Sequence, residues 1–107
     1  MTERFAALVE ALFEQLCGGA ATLAPELRRA IVARAAGDGN AAALPPALAQ
    51  WVDTIARHAY RTSDEQVAAM RAAGLSEDAI FEATLCASSG AARARLERGL
   101  AVIRGGR

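Results

Sequence analysis

The amino-acid sequence predicts an all-α protein of about five helices. Alanine and leucine account for 28 and 11 of the 107 residues, whereas valine, isoleucine and threonine together number only 14. Alanine and leucine favour helices, and β-branched residues favour strands. Apolar residues also recur at helical spacing in segments that glycine and proline separate. Because a chain of this length has room for one hydrophobic core, we expect residues 1–107 to form a single domain.

The first two predicted helices occupy the first third of the chain. The first ends at Cys17 and the two glycines that follow it. The second begins at Pro25, whose fixed φ suits a first helical position, and runs to about Ala36 before a turn over residues 37–40. We expect the first helix to bury one apolar stripe, which consists of Phe5, Leu8, Val9, Leu12, Phe13 and Leu16.

The third predicted helix follows Pro45 and Pro46 and contains the only tryptophan and the only histidine of the chain. His58 lies at the border of its apolar stripe, so we expect this side chain to be half-buried. The predicted buried stripe consists of Leu48, Trp51, Val52, Ile55 and Ala59.

A helical hairpin is predicted in the second half of the chain. Ser63 and Gln66 have the spacing of a capping box, which starts a fourth helix over about residues 64–73. Gly74 stands where a residue after a helix adopts a positive φ, and Ser76 caps the fifth helix.

The fifth predicted helix is the longest and runs about 25 residues, to Ile103. Its middle, residues 86–92, contains only small side chains. Gly90 costs about 1 kcal/mol relative to alanine inside a helix. Either the helix kinks there, or another backbone packs closely against it. Since small side chains permit close approach, we expect a contact between copies of the chain near this segment.

The composition excludes several classes of function. Twelve basic and twelve acidic residues cancel, so no overall field attracts nucleic acid or an acidic membrane. Every basic residue is arginine, which excludes Schiff-base and P-loop lysine chemistry. One histidine and two distant cysteines cannot build a zinc site from histidine and cysteine ligands alone. We therefore expect no metal site and no cofactor.

The C-terminal arginines do not indicate nucleic-acid binding. At helical spacing they spread around the helix instead of forming one face, and no aromatic residue interleaves them. They are Arg93, Arg95, Arg98, Arg104 and Arg107.

The sequence indicates a soluble, cytoplasmic protein. No stretch approaches the roughly 20 apolar residues that a membrane span requires. The first residues lack the basic region and apolar run of an export signal. In this compartment we expect Cys17 and Cys86 to be reduced thiols.

The hairpin resembles a known family, the alkylhydroperoxidase-D-like and carboxymuconolactone decarboxylase-like superfamily. The resemblance is carried by residues 66–80, QVAAMRAAGLSEDAI, by the following FEATLCASSGAARARLERGL, and by residues 27–37, LRRAIVARAAG. It covers about two-thirds of the chain. It implies an orthogonal helical bundle with a C-terminal hairpin, and assembly as a homo-oligomer, with trimers and hexamers among the expected states.

The redox members of that family carry Cys-x-x-Cys-x-x-x-His before the hairpin. The spacing from Gly74 places this motif on Ala59, Thr62 and Gln66, so the peroxidase dithiol is missing here. The decarboxylase members use a histidine and a glutamate, which implies His58 and Glu82 as candidates. Whether the chain is an enzyme stays open at this point.

Three side chains are candidate catalytic residues. His58 can carry a proton near pH 7, although a lone histidine at a helix border also serves as a hydrogen-bonded packing residue. Glu82 is alternatively an exposed or arginine-paired helix carboxylate. Cys86 lies one turn beyond Glu82, and a neighbouring carboxylate raises the pKa of a thiol. A raised pKa argues against a reactive thiolate, so the alternative is that Cys86 packs as a small buried apolar residue.

Trp51 and Tyr60 are candidate pocket-lining residues, with core anchoring as the alternative. Two functional hypotheses follow. One is a non-redox member of the superfamily that binds a small organic molecule, with acid–base chemistry by His58 and a carboxylate. The other is a structural protein that only oligomerises. Alternating charge supports contacts between subunits, because residues 1–16 and 62–82 are acidic whereas residues 17–61 and 83–107 are basic.

Overall fold

The computed structural model describes residues 3–105, and all regular structure within them is helical. Arg107 of the C-terminal arginine group lies outside the described residues. The all-α prediction and the number of helices are confirmed for residues 3–105. The elements are α1 (Glu3–Gly18), α2 (Pro25–Ala35), α3 (Pro46–His58), a 3₁₀ turn (Ala59–Arg61), α4 (Asp64–Ala72) and α5 (Glu77–Ile103).

The long helix α5 organises the core. Its largest interface is with α2 and its second largest with α3. An added Cβ at Gly90 would lie 3.1 Å from the carbonyl carbon and the Cα of Val32, and closer still to the carbonyl oxygen. The sequence left a kink or a close backbone approach as alternatives for Gly90, and the structure shows the close approach. The largest fully buried side chains are Ile31, Leu48, Val52, Met70 and Cys86.

This packing occupies the inner side of the small-residue segment of α5 within one chain. Cys86, Ala87, Gly90 and Ala91 in the small-residue segment of α5 are buried within one chain. Because α2 already occupies the close approach at Gly90, the inner side of this segment has no surface to offer a second subunit.

The hairpin between α4 and α5 is built by the predicted caps. Ser63 Oγ accepts from Gln66 N at 3.3 Å, and Gln66 Oε1 accepts from Ser63 N at 3.1 Å. Gly74 has a φ of 96°, and Leu75 N donates to Met70 O at 3.1 Å, which completes a Schellman turn. Ser76 caps α5, as expected from the sequence.

Helix α3 ends earlier than its apolar stripe predicts. Its last residue is His58, which has a φ of −148° and a ψ of 65° as the chain leaves the helix. Ala59 therefore lies in the 3₁₀ turn and is exposed, so the expectation that it belongs to the buried stripe is wrong.

The apolar stripe of α1 is only partly buried. Phe13 and Leu16 pack against the core, but Phe5, Leu8 and Leu12 are exposed. The expectation that the whole stripe is buried is wrong. Helix α1 has 16 residues and its main neighbour α2 has 11, so the first turns of α1 reach past the helix that would cover them.

The molecule is elongated for its size. Its Cα radius of gyration is 14.6 Å, whereas about 13 Å is typical of a compact domain of this length. The principal extents are 46, 29 and 23 Å. The long axis is consistent with the 27 residues of α5, which span about 40 Å.

Candidate functional site

His58 is on the surface rather than half-buried. It is the final residue of α3, and the chain turns away from the helix at this position. Since the stripe no longer continues beside it, the apolar neighbours that would cover the imidazole are absent. Its ring lies edge-on to that of Tyr60, with 5.8 Å between the centroids.

Trp51 and Tyr60 do not line one pocket. Trp51 is buried in the core, and its Nε1 donates to Thr84 Oγ1 at 2.9 Å. The core-anchoring alternative is thus confirmed for Trp51. Tyr60 lies in the 3₁₀ turn and is 79% exposed. It therefore neither anchors the core nor lines an enclosed pocket. Its ring instead faces the Arg61 guanidinium, 5.6 Å from the ring centroid.

Glu82 is a structural acceptor for the loop between α1 and α2. Its carboxylate accepts from the backbone N–H groups of Thr22 at 2.9 Å and Leu23 at 2.8 Å. Partial burial favours the neutral carboxyl, but these hydrogen bonds and the charge of Arg28 outweigh it and lower the pKa of Glu82. The carboxylate is therefore occupied, and it is charged at neutral pH.

Arg28 holds the same loop from the other side. This side chain is only 3% exposed, and it donates to three carbonyl oxygens, those of Leu16 at 2.7 Å, Gly19 at 2.6 Å and Leu23 at 3.0 Å. Leu16 lies in the last turn of α1 and Gly19 directly follows this helix. By donating to their carbonyl oxygens, Arg28 also caps the end of α1. Sequence analysis missed this role, because a buried arginine without a carboxylate partner leaves no spacing signal.

Cys86 is an inert thiol in this environment. The side chain is fully buried, and burial is the largest cause that raises its pKa to about 11. Cys17 and Glu82 raise the pKa further, against a smaller opposing effect of Arg28. The thiolate is the nucleophilic form of cysteine, so Cys86 has almost none of it at neutral pH. Cys17 is also buried, and both thiols are free.

The three candidate catalytic side chains are not brought together. Glu82 and Cys86 line a depression against the loop after α1, whereas His58 lines a different depression at the end of α3. No pairing of His58 with Glu82 or Cys86 follows from this arrangement.

The depression beside His58 is part of a larger surface feature, which we call the arginine groove. Three open depressions of about 300, 250 and 190 Å³ share Asp53 and Arg57. The depression of about 300 Å³ lies at the end of α3. The depression of about 250 Å³ extends toward the end of α2, and the one of about 190 Å³ extends between α2 and α5. Side chains that line the groove are Arg34, Asp38, Asp53, Thr54, Arg57, His58, Arg61, Gln66, Arg95 and Arg98.

A bidentate ion pair forms the centre of the arginine groove. Arg34 Nε and Nη2 donate to the two Asp53 carboxylate oxygens at 2.8 and 2.9 Å. The hydrogen bond from Arg34 is the largest cause that lowers the pKa of Asp53, against partial burial, and nearby Arg57 lowers it further. Asp53 is thus a fixed anion that holds α2 to α3. Arg34 is neutralised by it, and among residues 3–105 Arg57 has no carboxylate of its own within ion-pair distance.

Two other arginines are positioned by the packing of α5 on α3. Arg95 Nη2 donates to Ala56 O at 2.6 Å, in the last turn of α3. Arg98 lines the same part of the groove one turn later. Asp53 and Arg57 lie outside the predicted apolar stripe of the third helix. Their place in a groove could not be deduced from spacing, because it depends on the pairing of α2 with α3.

No group of three or more histidine, cysteine, aspartate or glutamate side chains in residues 3–105 could hold a metal ion. Within the same range, no helix has the length and apolar character needed to cross a bilayer. Comparison with family models, with curated proteins and with solved structures finds no match to this chain.

Proposed function

We infer that this protein binds a small organic anion in the arginine groove and belongs to the non-redox members of the superfamily that its hairpin resembles. The observation that carries the proposal is the excess of positive charge around one connected surface feature. Five arginines line the groove, against two aspartates. Arginine presents planar donors that match carboxylate and phosphate oxygens.

The charge around the groove remains unbalanced after the internal ion pair is counted. Asp53 neutralises Arg34. Arg57, Arg61, Arg95 and Arg98 then remain, with Asp38 as the other acidic side chain of the lining. The C-terminal end of α3 contributes only about half a negative charge. The balance therefore favours an anion of two or three charges.

Binding without acid–base catalysis fits the groove better than a decarboxylase-like reaction. The carboxylate that lines the same depression as His58 is Asp53, whose lowered pKa makes it a poor proton donor. Glu82 is engaged by backbone N–H groups, and Cys86 is a buried neutral thiol. Together with the missing dithiol, these features leave the groove with binding groups but no paired acid and base.

Support for the superfamily proposal comes from the hairpin. The Schellman turn at Gly74 and the Ser76 cap lie within the residues that carry the resemblance. A tight turn between a short helix and a long helix is the feature that those residues share with the family.

The proposal is tested with a panel of anions at constant ionic strength. Inorganic phosphate, succinate and citrate are titrated into the protein, followed by thermal shift and by calorimetry. At least one is expected to stabilise the wild type by an amount that rises with the logarithm of its concentration above the Kd. Arg57→Gln is expected to weaken that binding by about tenfold or more, since a charge-assisted hydrogen bond contributes about 1.5–3 kcal/mol.

Arg71→Gln is the matched control. Arg71 is exposed on α4, forms only a 3.4 Å contact with Glu77, and does not line the groove. Its substitution is expected to leave anion binding unchanged. Equal losses in the two variants, or no binding of any anion to the wild type, would contradict the proposal.

The second candidate function is a structural protein whose role is self-association. The observation that favours it is the set of exposed apolar side chains on α1 and α5. This alternative predicts no anion binding at the arginine groove, so the same titration separates it from the first candidate.

A further inference from the structure

Helix α5 exposes a continuous uncharged face, which we call the outer stripe. At helical spacing, positions 81, 85, 88, 92, 96, 99 and 103 fall within an arc of about 80°. All seven are exposed. Phe81 is 68% and Ile103 is 80% exposed, and the stripe between them runs about 33 Å. The members are Phe81, Leu85, Ser88, Ala92, Leu96, Gly99 and Ile103.

Helix α1 adds a second exposed apolar row. Phe5, Leu8 and Leu12 lie within an arc of about 60° on its surface, and Leu12 is 60% exposed. The glutamates of α1 lie on a different side of the helix, since Glu10 forms an ion pair with Arg93 at 3.6 Å. The exposed row itself is therefore uncharged.

The two rows lie on the same side of the molecule. Glu10 contacts Arg93 in the middle of α5, while Gln15 and Leu16 line one depression with Leu85 nearer its start. Helix α1 thus runs antiparallel to α5. That depression joins the apolar side of α1 to the outer stripe.

The combined surface has the composition of the apolar centre of a subunit interface. The outer stripe is about 33 Å long and the α1 row about 10 Å, and at one helix diameter each they cover roughly 500 Å². This area is near the upper end of the roughly 300–600 Å² typical of the largest apolar patch on a monomer, and a polar rim around it would complete a standard interface of about 800 Å² on each partner. Small side chains at positions 88, 92 and 99 alternate with large ones, which leaves grooves for the ridges of another helix.

The charges of α1 and α5 indicate which partner can pack against this surface. Helix α1 carries three glutamates and one arginine, whereas α5 from Arg93 onward carries three arginines and one glutamate. A two-fold axis parallel to α1 and α5 would relate a second copy to the first. The acidic α1 of the second copy would then lie over the basic half of the first copy's α5. An anionic lipid surface is disfavoured, because the acidic helix α1 forms half of this surface, whereas interfacial helices that bind such a surface are rich in lysine and arginine throughout.

We propose that the exposed row of α1 and the outer stripe of α5 form a two-fold interface with a second copy of this chain. Each acidic α1 packs against the basic half of the partner's α5, and the four helices form one apolar layer. The interface lies on the opposite side of α5 from its buried contact with α2. It does not depend on anion binding at the arginine groove.

The test is the mass in solution at micromolar concentration, measured by light scattering after size exclusion. The wild type is expected at twice 11.1 kDa, or at an even multiple of it. Leu12→Glu and Leu96→Glu, one on each helix, are each expected to shift the mass to 11.1 kDa. Helicity measured by circular dichroism should be unchanged, because both side chains are exposed in the isolated chain.

The matched control is Ala68→Glu, which adds the same charge at an exposed position on α4. It is expected to leave the mass unchanged. A wild-type mass of 11.1 kDa, an odd number of copies, or association that survives both Leu12→Glu and Leu96→Glu would overturn the proposal. Binding to anionic vesicles without self-association would likewise contradict it.

Discussion

At the scale of single residues, Cys86 should be unreactive in the folded protein. Full burial and a pKa raised to about 11 both suppress the thiolate at neutral pH. We expect Ellman's reagent to label neither cysteine of the native protein at pH 8 and both in urea. Labelling of native Cys86 should accelerate only as the pH approaches about 11.

Ala68→Cys provides the control for accessibility in that experiment. Ala68 is exposed on α4, so the introduced thiol should react promptly at pH 8 in the native state. Native Cys86 reacting as fast as the control would show that the thiol is accessible and would restore it as a candidate nucleophile.

Glu82 is expected to contribute to the stability of the folded protein and not to catalysis. Its hydrogen bonds to Thr22 and Leu23 lower its pKa in the folded state, so their stabilising effect is present above its ordinary pKa of 4.5. That effect is lost as the pH falls through the lower, folded-state pKa. Glu82→Gln is expected to reduce the free energy of unfolding at pH 7 by about 1–3 kcal/mol. The difference should narrow on acidification below 4.5.

Urea unfolding of both proteins across this pH range measures the effect of Glu82→Gln. Glu97→Gln serves as the control, because Glu97 makes only an exposed 3.9 Å contact with Arg93. The control substitution should change stability by less than about 0.5 kcal/mol. A Glu82→Gln variant as stable as the wild type at pH 7 would contradict the loop-holding role.

At the scale of the helices, the contact between α2 and α5 depends on the absence of a side chain at position 90. An added Cβ at Gly90 meets the backbone of Val32, which cannot rotate away. We expect Gly90→Ala to destabilise the fold by about 1–3 kcal/mol, as overpacking does.

Gly99 is the internal control for Gly90. Because Gly99 lies on the outer stripe, both glycine variants are made in the Leu12→Glu background, which is expected to be monomeric. Gly99 lies in the same helix with no atom within 4 Å of an added Cβ. Gly99→Ala should leave stability unchanged or raise it by up to about 1 kcal/mol, through helix propensity alone. Thermal unfolding of Gly90→Ala and Gly99→Ala measures the change in stability that each substitution causes. Equal effects would show that α2 does not approach α5 as closely as described.

Much of the fold could be predicted at this scale from short-range chemistry. Ser63, Gln66, Gly74 and Ser76 act within a few residues of themselves, so their spacing was sufficient to place the hairpin. Long-range packing was not accessible in the same way. The periodicity of α1 identifies an apolar face but does not indicate whether another helix covers it.

At the scale of the whole molecule, the candidate site was the least predictable feature. His58 was a candidate proton carrier that the sequence placed at a half-buried position, whereas its actual exposure depends on where α3 ends. Asp53 and Arg34 are far apart in sequence and meet only because α2 packs on α3. The groove is a product of that pairing, and no single segment contains its pattern.

Binding of a small anion in the arginine groove is observed at the level of single side chains by a nuclear magnetic resonance titration. Amide and arginine side-chain signals are followed as phosphate, succinate or citrate is added at constant ionic strength. We expect saturable shifts centred on Arg57, Arg61 and Arg98 for at least one of the three anions. Arg71 and Arg4 should show no saturable shift. Shifts that never saturate, or that affect all arginines alike, would contradict anion binding in the groove.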